Sequence, residues 1–342
     1  MDILSLARKH LKNLKPYSSA RHEYSGKAAV YLDANESPFP SGYNRYPDPF
    51  QSELKKCIGQ IRNVDPENIF IGNGSDEPID LLIRIFCEPG RDNILIPDPS
   101  YGMYQVSAAV NNIEARKIRL DHNFQPVHSE FLKSADQHSK ILFLCSPNNP
   151  TGNAFDRERV TMLIENFKGL VVIDEAYIDF CPDKSFVGDL LKYENLLILQ
   201  TLSKAFGLAG LRLGLCMAAK PVVTLLNQVK PPYNISSAAQ EIALTQLKEC
   251  STKKNTAVIV EQRLRVAEFL KENGLKAYPS DANFLLVQFP NPSLAYRQLL
   301  EDGIVVRDRS AEAGCEGCLR ITIGTPAEND LLMNSIEKIF NL

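Results

Sequence analysis

The sequence predicts an α/β protein in which a mostly parallel sheet flanked by helices is joined to a smaller α+β unit at the C-terminal end. Three observations predict it. From residue 68 to about 230, short apolar runs without helical period alternate with amphipathic helical patterns. Several of those runs end abruptly in polar or glycine-rich turns. After Pro231-Pro232-Tyr233-Asn234 the style changes to two long helical patterns and then short strands. At 342 residues the chain is long for one core. The expected divisions are an arm at 1–35, a larger unit at 36–232 and a smaller one at 233–342.

Residues 3–15 offer Ile3, Leu4, Leu6, Leu11 and Leu14 to one face of a short amphipathic helix, stopped by Pro16-Tyr17. The arm then reaches Tyr31-Leu32-Asp33-Ala34-Asn35-Glu36-Ser37-Pro38, where proline forbids regular pairing. A second loop, Asn44-Arg45-Tyr46-Pro47, follows. A strand near 68–71 leads into Gly72-Asn73-Gly74-Ser75-Asp76-Glu77-Pro78 and a helix. Such a turn presents free amides and a positive dipole end, which favour a phosphate. A third glycine is lacking, so a dinucleotide fingerprint does not match.

The next strand, 93–96, ends near Tyr101, whose ring can lie on a flat ligand. Strand 140–145 runs into Ser146-Pro147-Asn148-Asn149-Pro150-Thr151-Gly152, a loop that holds the Asn149 amide rigidly. Strand 170–173 ends in Asp174-Glu175-Ala176-Tyr177, and an aspartate after four apolar residues needs a cationic partner. Strand 196–200 ends in Thr201-Leu202-Ser203-Lys204, followed by Gly207-Leu208-Ala209-Gly210-Leu211-Arg212. Burial lowers the pKa of a lysine, which suits it to form a Schiff base with an aldehyde. An apolar run at 213–218 completes this part. Beyond it, helices are expected at about 237–249, 254–272, 293–302 and 328–340, with strands at 283–289, 304–306 and 318–323.

Composition excludes several classes. With 44% hydrophobic and 23% charged residues a sizeable core can form, and the net charge of −3 is scattered, leaving no basic track for nucleic acid. No apolar run reaches membrane-spanning length, and the N-terminus lacks a signal-peptide core. The cysteines sit mostly in apolar runs, as reduced thiols of a cytoplasmic protein do. Cys315-Glu316-Gly317-Cys318 has no second pair or histidine to complete a metal site, so none is expected. Ser52-Glu53-Leu54-Lys55 has the spacing of a serine hydrolase motif without its companions, and reads as a solvated helix.

In an open α/β sheet, ligands gather outside the carboxyl ends of the strands, so these groups are expected to converge. A cofactor with an aldehyde, a pyridine ring and a phosphate would use each of them. Lys204 would meet the aldehyde and Asp174 the pyridine nitrogen. Asn149 and Tyr177 would hold the ring hydroxyl and Tyr101 the ring face. The Gly74-Ser75-Asp76 turn, Thr201, Ser203 and Arg212 would surround the phosphate.

These motifs, together with Gly317-Cys318-Leu319-Arg320-Ile321-Thr322-Ile323-Gly324, resemble the fold type I pyridoxal-phosphate-dependent aminotransferases nearly end to end. Within that group the chain is similar to the histidinol-phosphate aminotransferases. The resemblance implies a large domain with a seven-stranded, mostly parallel sheet, and an arm packed on the smaller domain or a partner subunit. It implies amino transfer between L-histidinol phosphate and 2-oxoglutarate, with Lys204, Asp174 and Tyr177 catalytic. It places Tyr46 on the cofactor phosphate of a neighbouring subunit, which makes a homodimer necessary. Substrate groups would be Tyr17, Asn35, Glu36, Asn149, Arg307 and Arg320, with Arg320 on a carboxylate, Arg307, Tyr17 and Arg320 on a phosphate, and Glu36 facing an imidazole. Leu215, where an aromatic residue often stands, departs from the pattern and concerns packing.

Two sister activities share this scaffold, aromatic amino-acid transamination and phosphothreonine decarboxylation. A non-catalytic cofactor-binding regulator is the alternative of another class. The aminotransferase-like text begins close to Met1, which leaves no space for the DNA-binding domain such regulators carry, and the Lys204–Asp174 pair is intact.

Overall fold

Apolar side chains on both faces bury all but one edge of a central sheet, which is why most of its strands read as continuous apolar runs. The computed structural model describes residues 3–12, 14–15, 29–249 and 252–340. The strands are β1 (Ile69–Asn73), β2 (Asn93–Asp98), β3 (Glu114–Arg119), β4 (Ser139–Cys145), β5 (Leu170–Asp174), β6 (Leu196–Thr201) and β7 (Leu213–Met217). They lie in the order β1-β7-β6-β5-β4-β2-β3, with β7 antiparallel to both its neighbours and the remaining pairs parallel. This is the mostly parallel seven-stranded sheet expected.

Among the described residues, eight α-helices precede or flank this sheet: α1 (Ile3–Leu6), α2 (Ser52–Arg62), α3 (Asp76–Phe86), α4 (Met103–Val110), α5 (His128–Ser134), α6 (Arg157–Asn166), α7 (Lys220–Val229) and α8 (Ser237–Glu249). Ile94, Ile141, Phe143 and Val172 pack on one side with α3, α4 and α7. Leu95, Leu142, Leu144 and Val171 pack on the other with α2, α6 and α8. A second, antiparallel sheet has the order β10-β11-β9-β8, from β8 (Lys276–Ala277), β9 (Phe284–Gln288), β10 (Arg307–Asp308) and β11 (Cys318–Thr322). Helices α9 (Thr252–Glu272), α10 (Pro292–Glu301) and α11 (Pro326–Phe340) cover it through Val266, Leu270, Leu299 and Ile336.

Several elements differ from expectation. The helix expected over 3–15 is four residues long, because the Arg8 N–H donates to Ile85 O at the end of α3 (2.9 Å) instead of continuing the helix. Its Ile3 and the following Ala7 pack into the larger core, not on the smaller unit. Helix α8 lies beyond the expected boundary at 232/233, yet Ala243 and Leu247 also belong to the larger core. The short strand expected at 304–306 begins at Arg307, because Val306 turns into the second core. The segment read as a solvated helix is helical in α2, but Leu54 and Lys55 are buried. Burial, reinforced by Lys230 nearby, pushes the Lys55 ammonium down to about 8. Among the described residues no helix is long and apolar enough to cross a membrane.

Candidate active site

The carboxyl ends of β1, β4, β5 and β6 face one cavity, together with the turn after β2. Its lining includes Ser75, Asp76, Tyr101, Asn149, Asp174, Tyr177, Thr201, Ser203, Lys204 and Arg212, so residues from five separate motifs meet as expected. Two further lining residues, Cys145 and Ala176, carry no chemical signal in the sequence. Among the described residues no group of three or more His, Cys, Asp or Glu is placed to hold a metal ion.

At the floor, Asp174 is the last residue of β5 and is buried. Its Oδ2 accepts from Tyr104 Oη at 2.7 Å and its Oδ1 from the Ala176 N–H at 3.1 Å. Both donors are neutral, and burial raises the carboxyl to about 6, against the opposing effect of the Tyr104 bond. Tyr104 was not among the expected site residues. It stands one turn along from Tyr101 at the start of α4, so both tyrosines point to the same side. The Tyr104 ring stacks on Phe143 at 4.8 Å and meets Tyr101 edge-on at 5.5 Å. Glu175 faces away and fastens the next loop by accepting from Phe186 N–H (2.6 Å) and Gln200 Nε2 (2.9 Å).

Lys204 opens onto the cavity from the turn after β6. As a residue it is exposed, unlike the buried lysine expected, but its ammonium lies 5.8 Å from the Tyr177 ring centre among protein groups. That partial burial, then Arg320, pushes its pKa down, while Asp174 opposes the shift. Thr201 fixes the turn: its hydroxyl donates to Leu213 O at 3.2 Å and accepts from the Ser203 N–H at 3.1 Å. Asn149 Nδ2 donates to Tyr177 Oη at 3.3 Å, and Arg320 Nη1 donates to Asn149 Oδ1. Burial raises the Tyr177 phenol well above its ordinary value, so it stays protonated.

The opposite end of the cavity is built for an anion. Ser75 precedes α3 and makes no capping bond with its own side chain, leaving first-turn amides without that partner. Asp76 accepts from Tyr101 Oη at 3.0 Å and lies 3.7 Å from Arg212 Nη2, so it positions both. Gly74 has φ +73°, and a Cβ there would come 2.6 Å from Arg212 Nη2. The loop after β4 is held by the second unit. Gly152 has φ +87°, a Cβ there would strike Ser280 Oγ at 2.6 Å, and its carbonyl accepts from the Asp281 N–H at 2.8 Å.

Three expected residues stand elsewhere in this chain. Asn35, Glu36 and Tyr46 line a separate cleft with Arg45 and Tyr233. Glu36 is tied down there, accepting from Arg45 Nη1 at 2.7 Å and from the Tyr46 N–H at 2.6 Å, rather than facing the cavity. The Tyr46 ring stacks on Tyr233 at 4.4 Å. Tyr17 lies outside the described residues. Arg307 and Arg320 sit in register on β10 and β11 and line a wider cleft that continues from the cavity past Tyr101, Asn149 and Lys204.

Residues 29–336 match the family described as aminotransferase class I and II. This chain belongs to that family. A histidinol-phosphate aminotransferase of Parabacteroides distasonis is 50% identical over 341 residues, covering 99% of both chains. Another, from Flavobacterium johnsoniae, is 48% identical over 342 residues, covering 98% of both. Among solved structures, the histidinol-phosphate aminotransferase of Clostridium acetobutylicum superposes with a TM-score of 0.80 at 26% identity, covering 88% of this chain and 92% of that one. The cofactor of this aminotransferase family is pyridoxal phosphate, and the cavity fits it. Its anion-ready end lies across from a buried carboxylate whose raised pKa calls for a cation, with an amine and a flat aromatic face between.

Proposed function

We propose that the chain catalyses reversible amino transfer between L-histidinol phosphate and 2-oxoglutarate, giving imidazole acetol phosphate and L-glutamate. The observation that carries this is the near full-length similarity to aminotransferases named for histidinol phosphate, combined with the meeting of Lys204, Asp174 and Tyr177 in one cavity. Bound pyridoxal phosphate supplies an aldehyde for the amine and an electron sink for the carbanion that transfer requires. Asp174 in its ionised form pairs with the ring nitrogen, and Asn149 and Tyr177 orient the ring hydroxyl. Tyr101 covers the ring face. Ser75, Asp76 of the α3 turn, Thr201, Ser203 and Arg212 surround the phosphate, Gly74 giving Arg212 its space. Lys204 holds the proton that leaves and returns to the substrate carbon, a role suited to an amine whose pKa is lowered toward the working range.

Arg320, anchored by Asn149, takes the carboxylate of glutamate or 2-oxoglutarate, and Arg307 with Arg320 and Tyr17 takes the phosphate of histidinol phosphate. The enzyme works as a homodimer in the cytoplasm, with Tyr46 of each arm completing the neighbouring site. Supporting the dimer, the arm exposes Leu32 (89%), Phe39 (77%) and Tyr43 (61%), an apolar surface that a second copy would cover. Asn35 and Glu36 then act by shaping this arm.

Product analysis tests the reaction type. Holoenzyme given histidinol phosphate and 2-oxoglutarate should form glutamate and the keto phosphate in equal amounts, and O-phosphothreonine should release no carbon dioxide. Carbon dioxide without glutamate would instead make the chain a decarboxylase.

A further inference from the structure

Arg309 lies in the same cleft as Arg307 and Arg320. It follows β10 directly, and its N–H donates to Cys318 O at 2.9 Å, which prolongs the ladder with β11. Side chains alternate along extended backbone, so Arg307 and Arg309 fall on one side, with Arg320 opposite Arg307 across the ladder. Three guanidiniums therefore crowd the mouth, and the Arg320 pKa is lowered by burial first and then by Arg309 and Arg307. Arg309 is neutralised by one local carboxylate: its Nη1 donates to Glu312 Oε1 at 2.6 Å. Its Nε is buried with no hydrogen-bond partner. A buried donor without an acceptor is costly unless a ligand supplies one.

The proposed reaction asks this cleft to take two kinds of anion in turn. Histidinol phosphate brings a phosphate monoester, with nearly two charges and three acceptor oxygens. Glutamate brings a carboxylate, with one charge and two oxygens. We propose that Arg309 is the specificity-determining residue for the phosphate monoester. It turns from Glu312 to give the dianion a third guanidinium, and it rests on Glu312 when a carboxylate substrate occupies the cleft. This rests on the function proposed above, and deepens it by assigning the change of anion to one ion pair.

The test is kinetic, on holoenzyme, with Arg309→Gln, Arg309→Lys and Glu312→Gln. Arg309→Gln should raise the KM for histidinol phosphate at least tenfold, and at least fivefold more than the KM for glutamate, while kcat falls less than threefold. Arg309→Lys should fall between, keeping the charge but losing the planar fork. Glu312→Gln should lower the KM for histidinol phosphate severalfold. Equal effects of Arg309→Gln on both substrates, or no effect on either, would overturn the proposal and leave the pair a loop fastening. Should Arg309→Gln fail to fold, the opposite signs expected of Arg309→Lys and Glu312→Gln carry the decision. If wild-type enzyme rejects histidinol phosphate, the functional reading fails separately. Inorganic phosphate as a competitor of glutamate then decides for Arg309, its inhibition constant rising tenfold in Arg309→Gln or, against the proposal, staying fixed.

Discussion

Lys204→Ala should lower turnover by about four orders of magnitude while the protein folds and still takes up pyridoxal phosphate through its phosphate end. The size follows from losing both the amine that holds the cofactor covalently and the base that moves the substrate proton. No other amine among the lining residues stands in its place. Folding should be spared, because Lys204 opens into the cavity and fills no core. The same variant tests the shared site. Co-expressed with Tyr46→Ala subunits, which should retain cofactor poorly, it should form mixed dimers with one intact site each. A random equal mixture then regains about a quarter of wild-type activity at limiting cofactor. No recovery would mean that each chain builds its site alone, and a Lys204→Ala enzyme within tenfold of wild type would remove the proposed chemistry.

The second large effect belongs to Asp174→Asn. A neutral amide cannot balance a protonated ring nitrogen, so kcat should fall by roughly two to three orders of magnitude, with weaker cofactor affinity. Its pH signature has a definite sign. Burial raises the folded carboxyl to about 6, above its ordinary value of 3.8, so the cofactor-free folded state binds the extra proton between those limits. Stability therefore falls as pH rises from about 4 to 6, by an amount on the order of 3 kcal/mol at most. Cofactor binding runs the other way, because the ionised form is the one that pairs with a pyridinium, and affinity should drop as pH falls below about 6. Melting of cofactor-free wild type and Asp174→Asn across pH 4–7 checks the first statement. Glu175, raised to about 7 by its own burial, is common to both proteins and cancels in the difference. A difference that stays flat with pH would contradict the assignment.

Most of the cavity was legible because each of its groups follows a strand buried on both faces, and such strands announce themselves as unbroken apolar runs ending at a polar residue. Edge strand β3 was not, since Glu114-Ala115-Arg116-Lys117-Ile118-Arg119 carries the charges that keep an edge from pairing further. Tyr104 escaped because its importance lies in a tertiary bond to Asp174, which no spacing encodes. Arg309 escaped for a similar reason, its meaning depending on the pairing of β10 with β11. Glu36 is held by contacts that its motif does not announce. Its place in a motif fits a ligand role, but two local donors, Arg45 and the Tyr46 amide, claim its carboxylate. The length of α1 was decided by the end of α3, where Ile85 O accepts the Arg8 N–H.

The most direct test of the central claim is a half-reaction on holoenzyme without 2-oxoglutarate, following the visible absorbance of the bound cofactor. L-histidinol phosphate, L-phenylalanine and O-phosphothreonine are added separately. Histidinol phosphate should bleach the band at a concentration at least tenfold below that required of phenylalanine, because it offers Arg307 and Arg320 a phosphate that phenylalanine lacks. Phenylalanine acting as well or better would make the enzyme an aromatic amino-acid transaminase and contradict the role given to those arginines.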